Sequence, residues 1–306
     1  MPIAIGVDIG GSHISSAAVD MEKSEIIPGS YFHGDVNNKA SKEEIFKNWS
    51  RVINQSIEPV KDQEILGVGI AMPGPFRYKE GVALFERNDK YETLYGVSVK
   101  EELPHYFSKE LPIRFLNDAT SFGVGGTLIN RTKNSHRVVA ITLGTGFGAA
   151  FLEDNIPLVN QKDVPEDGCL WDKDFQDGIA DDYFSTRWFI SKYQQISGKN
   201  GVGGVKDLVK NKKIDTTEIF EEFAENMSNF LLPHLQNFDA DLLVLGGSIA
   251  KSHDLFMPSV LKKWKSNNRE VPVAIVENTE EAGIIGSSYL FNEPFWNKIK
   301  NNLPAI

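Results

Sequence analysis

One short pattern occurs twice in this chain. Residues 7–20, VDIGGSHISSAAVD, and residues 141–154, ITLGTGFGAAFLED, align without gaps. Each reads as the end of an apolar strand, a glycine at 10 or 144, small residues, a second apolar strand and a closing aspartate. A repeated hairpin points to two related halves, each presenting a glycine turn at a strand end. Such turns could clamp a polyphosphate between two clusters of backbone amides. Short glycine hairpins are common, so coincidence is the plain alternative.

The surrounding pattern alternates strands with helices. IAIGVDI and ILGVGIAM read as buried strands, as do RVVAITLG and DLLVLGG in the second half. SKEEIFKNWSRVINQSI carries Ile45, Trp49, Val52, Ile53 and Ile57 at helical spacing after a serine cap. TTEIFEEFAENMSNFLLPHLQNF is a long helix disturbed near Pro233, and EEAGIIGSSYLF is another helix. This order defines an α/β chain, and 306 residues with 41% hydrophobic content suit two domains. We expect a small domain over 1–116 and a larger one over 117–290, with a helix in 291–306 returning to the first. The loosest stretch, 153–178, reads as a long loop over the surface or over a site.

Composition narrows the function classes. A formal charge of -10, from 42 acidic and 32 basic residues without a basic run longer than a lysine pair, disfavours a nucleic-acid footprint. It does not disfavour a small anionic ligand, because backbone amides bind phosphate without lysine. No segment is apolar over the length a membrane helix needs, and the start lacks a leader pattern, so the expected location is cytoplasmic. A lone cysteine, Cys169, excludes an internal disulfide and a cysteine-rich structural zinc site.

The chemistry-bearing residues cluster at the glycine turns. Gly10 and Gly11 let the backbone approach phosphate oxygens, and Ser12 adds a hydroxyl donor. Asp8 would repel a phosphate unless Mg2+ bridges the two, usually through water. The bland reading makes Asp8 a turn-capping side chain. Gly144, Thr145 and Gly146 form a second turn, and Gly246 and Gly247 a third. Asn117 and Asp118 end a strand just before a helix. Asp118 is either an N-cap or a base for an attacking hydroxyl. His13 could donate to an anion or point from a strand edge into solvent, and Arg77 and Lys79 could steer a phosphate or be solvated charges.

Five segments in order, DIGGSHISSAAVD, GIAMPGPF (69–76), LNDAT (116–120), LGTGFGAAFL (143–152) and VLGGSIAKS (244–252), resemble the ROK family of sugar kinases and sugar-responsive repressors. The resemblance spans nearly the whole chain and implies the two-domain actin-like fold shared with hexokinases. It implies Asp118 as catalytic base, the turns at 8–13 and 144–146 on ATP phosphates, and Gly246 and Gly247 beside the nucleotide. Gly74, Asn117 and Asp118 would contact the sugar, and Asn88 matches a segment near the sugar or is a turn residue. A homodimer is also implied. The repressor branch carries a DNA-binding module before the first hairpin, whereas here the strand begins at Ile3.

The departures fall in one loop. Many members carry Glu-x-Gly-His against the sugar, followed by zinc-binding cysteines. Here PEDGCLWDKDF places Glu166 and Gly168 on that motif, with Cys169 where histidine would stand, and the zinc cysteines are missing. Glu166 is then a sugar-hydroxyl acceptor or a solvated carboxylate, Cys169 a small hydrophobe, and Trp171 a core anchor. The resulting expectation is an ATP- and Mg2+-dependent kinase for a hexose primary hydroxyl, glucose first. N-acetylglucosamine, mannose or fructose as acceptor and polyphosphate as donor remain open, as do a sugar sensor of the same fold and an assembling actin-like ATPase.

Overall fold

The computed structural model describes residues 1–87, 90–130, 135–198, 200–211 and 215–304. The chain divides into two compact units, Met1–Lys133 with Asn155–Val159 and Thr279–Ile306, and Asn134–Asp154 with Asn160–Asn278. The first boundary therefore falls after the helix Asp118–Asn130 instead of at residue 116. The physical reason is that this helix packs on the helix Thr279–Ser288, which belongs to the same unit.

In the first unit the strand Ile3–Ile9 is central. It pairs antiparallel with His13–Asp20 and parallel with Ile65–Met72, which in turn pairs parallel with Ile113–Asn117. The helix Lys42–Ile57 starts as its sequence predicts, with the Glu44 amide donating to Ser41 Oγ at 3.3 Å. Ile45, Trp49, Val52, Ile53 and Ile57 are all buried in the core of that unit. Each such side chain contributes roughly 1.5–3 kcal/mol over remaining exposed.

The second unit repeats the arrangement. Arg137–Leu143 pairs antiparallel with Phe147–Glu153 and parallel with Leu242–Gly246, which pairs parallel with Val273–Ile275. Both hairpins thus lead into a parallel neighbour, but the turns differ. Ile9 pairs with Ile14, whereas Leu143 pairs with Phe147, so the second turn is one residue shorter. The gapless match therefore holds only up to the turn, because the pairing register and not residue identity sets the second strand. The helix Thr217–Asn237 runs through Pro233 to Asn237, where the sequence suggested a disturbance. Proline removes one donor, and the packing of the helix's buried face outweighs that loss. The stretch 153–178 also holds more structure than a bare loop: the strand Ile156–Leu158, a helical turn Glu166–Gly168 and the short pair Asp174–Phe175 and Gly178–Ile179.

Two glycines allow the crossing of Asp118–Asn130 with Thr279–Ser288. A Cβ on Gly125 would lie 1.9 Å from the Ala282 carbonyl oxygen, and one on Gly286 would lie 1.8 Å from that of Ser121. Since the obstacle is backbone on a packed helix, Gly125→Ala is expected to destabilise the protein by about 3 kcal/mol, at the upper end of overpacking costs. Urea melts of the variant and the parent measure this; coincident midpoints would contradict it.

Candidate active site

The carboxyl end of the first unit's parallel strands gathers most of the expected residues. Asp8 lies near the end of Ile3–Ile9, Gly74 in the turn after Ile65–Met72, and Asn117 and Asp118 where Ile113–Asn117 enters its helix. Strand ends of this kind are where open α/β sheets bind ligands.

The N-cap question at Asp118 is settled by hydrogen bonds. Asn117 Oδ1 accepts from the Thr120 amide at 3.1 Å, the bond that caps a helix, while Asn117 Nδ2 donates to the Tyr78 hydroxyl at 3.1 Å. Tyr78 is buried and donates onward to the Met72 carbonyl at 3.2 Å, which fixes the amide from behind. Asp118 is therefore released from capping Thr120. It accepts the adjacent Ala119 amide at 2.8 Å and is exposed at the strand end. Desolvation by the surrounding protein raises its pKa, against the lowering influence of the Ala119 amide and the Lys90 ammonium.

Asp8 is in a harsher setting. Burial first, then the Asp118 and Glu280 carboxylates, push its carboxyl up to about 8. The backbone of Thr279–Ser288 closes over it, since a Cβ on Gly283 would lie 3.2 Å from Asp8 Cγ. Burial also pushes Glu280 up, but hydrogen bonds from Ser15 and Tyr31 and the nearby His13 and His33 outweigh it and hold the carboxyl below its ordinary range. Ser15 Oγ donates to Glu280 Oε2 at 2.5 Å and the Tyr31 hydroxyl at 2.8 Å. With its pKa raised in this way, the Asp8 carboxyl would carry its charge at neutral pH only when a cation is near. Among the described residues no group of three or more His, Cys, Asp or Glu is placed to hold a metal by itself. A magnesium ion carried by phosphate oxygens and water fits this donor set, because it needs only one or two protein carboxylates.

The glycine turn is held from behind. The Gly10 carbonyl accepts from the Tyr91 hydroxyl at 2.7 Å, and the Gly11 carbonyl accepts from Asn38 Nδ2. Ser12 is exposed, and its carbonyl takes the Val36 amide at 2.8 Å. His13 does not reach freely into solvent: its ring stacks on His33 with centroids 5.5 Å apart and lies over Gly10.

In the second unit, the turns at 144–146 and 246–248 sit together at the ends of adjacent parallel strands. Gly247 has φ +97°, and a Cβ there would lie 2.2 Å from the Leu143 carbonyl oxygen, so glycine is required. Gly246 ends its strand buried, and a Cβ on Gly144 would lie 3.8 Å from Ser248 Oγ. The Gly144 carbonyl accepts from the Thr186 amide and hydroxyl, each at 2.8 Å. Thr145 and Gly146 are exposed, and Asp181 Oδ1 accepts the Phe147 amide at 2.7 Å just after them. Glu166 is exposed in its helical turn and offers its carbonyl to the Cys169 amide at 3.4 Å. Cys169 is half-buried, and burial with the Asp172 carboxylate pushes its thiol up to about 11. Trp171 is 51% exposed and so is no core anchor. Asn88 lies outside the described residues.

Three contributors carry no sequence signature. Glu280 looks like an ordinary acidic first turn of a helix, Tyr78 like a residue after a proline turn, and Lys90 like a loop charge. Their roles depend on contacts distant in the chain, such as Tyr78 with Asn117, 39 residues away.

Glycine turns at strand ends, one beside an exposed aspartate at a helix start, in two units that repeat one hairpin-plus-parallel-strand plan, define an actin-like ATPase fold. The chain belongs to the ROK family, whose sequence profile matches residues 4–294. It is similar to the N-acetyl-D-glucosamine kinase of Haemophilus influenzae, 24% identical over 94% of this chain and 98% of that one. It is also similar to the xylose repressor of Bacillus spizizenii, 21% identical over 86% of this chain and 68% of that protein. A solved glucokinase of Streptomyces griseus, in complex with glucose and AMPPNP, matches with a TM-score of 0.72 at 20% identity over 95% of this chain and 99% of that chain. No helix among the described residues is long and apolar enough to cross a membrane.

Proposed function

We propose that this protein is an ATP-dependent sugar kinase that phosphorylates the primary hydroxyl of a hexose, with glucose the first acceptor to test. The observation that carries the reading is Asp118: a carboxylate relieved of helix capping by Asn117, exposed, and raised in pKa by desolvation. A carboxylate raised in this way is a better base for a hydroxyl proton. The likeness to a glucokinase and to an N-acetyl-D-glucosamine kinase supports phosphoryl transfer and leaves the acceptor open between them.

In this reading Asp118 takes the proton, and Asn117 and Gly74 contact the sugar, with Glu166 as a further hydroxyl acceptor. The turn at 10–12 receives donor phosphate, and the turns at 144–146 and 246–247 hold the nucleotide. Mg2+ bound near Asp8 would neutralise phosphate charge when present. The likeness to a xylose repressor supports a second reading, a sensor that binds sugar without turnover.

Water competes with the sugar for the phosphoryl group, so ATP consumption is expected to depend on sugar. ADP release with and without hexose tests this. Release that is low alone and rises at least tenfold with one hexose supports the kinase. Rapid release without sugar counts against it, and sugar-induced thermal stabilisation without release selects the sensor.

A further inference from the structure

We propose that Lys90 is a catalytic residue of this site, its ammonium pairing with the phosphoryl group held at the turn of residues 10–12. The inference rests on the kinase reading above. Three basic residues other than Lys90 drew attention as phosphate partners, and the fold disposes of two of them. Arg77 and Lys79 line a cavity of about 390 Å³ together with Glu80, Lys300 and Leu303, none of which belongs to the site. The third, His13, is stacked on His33.

Lys90 is different, because its side chain runs along the turn itself. A Cβ on Gly11 would lie 3.2 Å from Lys90 Cε and 3.4 Å from Cδ, so the aliphatic stem lies against the Gly11 backbone. The following residue ties the main chain to the same turn. Tyr91 is fully buried, donates its hydroxyl to the Gly10 carbonyl at 2.7 Å, and packs edge-on against Trp49 at 5.2 Å. Its amide donates to the Asn38 carbonyl at 3.0 Å, and the Asn38 side chain holds the Gly11 carbonyl. Core and turn therefore form one framework, which anchors the main chain next to Lys90 and so roots its stem beside the turn.

Charge supplies the reason for a cation there. The Asp118 and Glu280 carboxylates lie near enough to Asp8 to raise its pKa, after burial. A phosphate entering near the Asp118 and Glu280 carboxylates meets repulsion that a positive side chain at the turn would offset. Lys90 acts on Asp118 in the opposite sense, lowering its pKa. During transfer the hydroxyl oxygen bonds to the terminal phosphorus, the bond to the bridging oxygen breaks, ADP leaves, and the hydroxyl proton goes to Asp118. Lys90 exchanges no proton. Its charge offsets the oxygens of the group in flight, as positioned cations do in phosphoryl transfer.

The test compares Lys90→Met, which keeps the stem, with Lys90→Arg, which keeps the charge. Lys90→Met is expected to lower kcat/KM for ATP by roughly 30-fold or more with an unchanged melting temperature, and Lys90→Arg to restore most of it. The acid limb of the kcat profile is expected to move to higher pH in Lys90→Met, because Asp118 loses its cation; a purely structural role would move neither readout. Calorimetry with Mg2+ and ATP in the absence of sugar is expected to show weaker binding by the Met variant. Parental kcat/KM and parental ATP affinity in Lys90→Met would overturn the proposal. If the parent turns over no sugar, the kinase reading falls while the calorimetric comparison still decides whether Lys90 faces a phosphate.

Discussion

Asp118→Asn is expected to reduce sugar-dependent ADP release by about 10²- to 10⁴-fold, the range a positioned general base contributes. The amide keeps the shape and can still accept the Ala119 amide, so the helix start and its Asn117 cap remain intact. Sugar affinity should therefore change far less than turnover. The same residue sets the pH dependence. Its pKa is raised above the ordinary carboxylate value of 3.8 by desolvation, so kcat is expected to fall as pH drops through that raised value. Steady-state kinetics of parent and variant from pH 5 to pH 8 measure both effects. Equal kcat in the two proteins would remove Asp118 from the chemistry.

The second large effect is expected at Asp8, and it has opposite signs in stability and in function. Folding moves this carboxyl from a reference near 3.8 to about 8. A group raised in this way contributes stability that is present below 3.8 and lost as pH rises through 8, since the folded state binds the extra proton. Asn carries no such penalty. Asp8→Asn is thus expected to melt several degrees above the parent at pH 8, with the difference vanishing near pH 4. Function should suffer in the same variant, because a carboxylate is what a hydrated Mg2+ recognises. The parent is also expected to release a proton from Asp8 on binding Mg2+ and ATP at pH 7, given a pKa of about 8. Calorimetry in buffers of different ionisation enthalpy reads this directly, and zero proton release would contradict the metal role assigned to Asp8.

The sequence made some elements legible because their signals are local. The helix Lys42–Ile57 is announced by its apolar spacing and by Ser41, and the two hairpins by their glycines. The family resemblance was legible for a different reason: five short motifs in one order are specific where each alone is not. What escaped depends on residues far apart in the chain. The hairpin offset of one residue is a property of cross-strand register, visible only once Leu143 is seen opposite Phe147. The placement of Asp118–Asn130 in the first unit follows from its crossing with Thr279–Ser288, over 150 residues later. Asp118 could not be separated from an N-cap in the sequence, since the choice lies in which side chain accepts the Thr120 amide. Glu280 and Lys90 are ordinary surface-type residues until the fold brings them to Asp8 and Asp118.

The most direct measurement is the identity and stoichiometry of products. Purified protein with Mg2+ and ATP would be offered glucose, mannose, fructose and N-acetylglucosamine one at a time. Sugar phosphate would be identified by phosphorus NMR beside ADP. The account predicts one phosphomonoester on the primary hydroxyl of a single favoured sugar, formed one for one with ADP and missing in Asp118→Asn. ADP formed with inorganic phosphate instead, or equally in parent and variant, would contradict it.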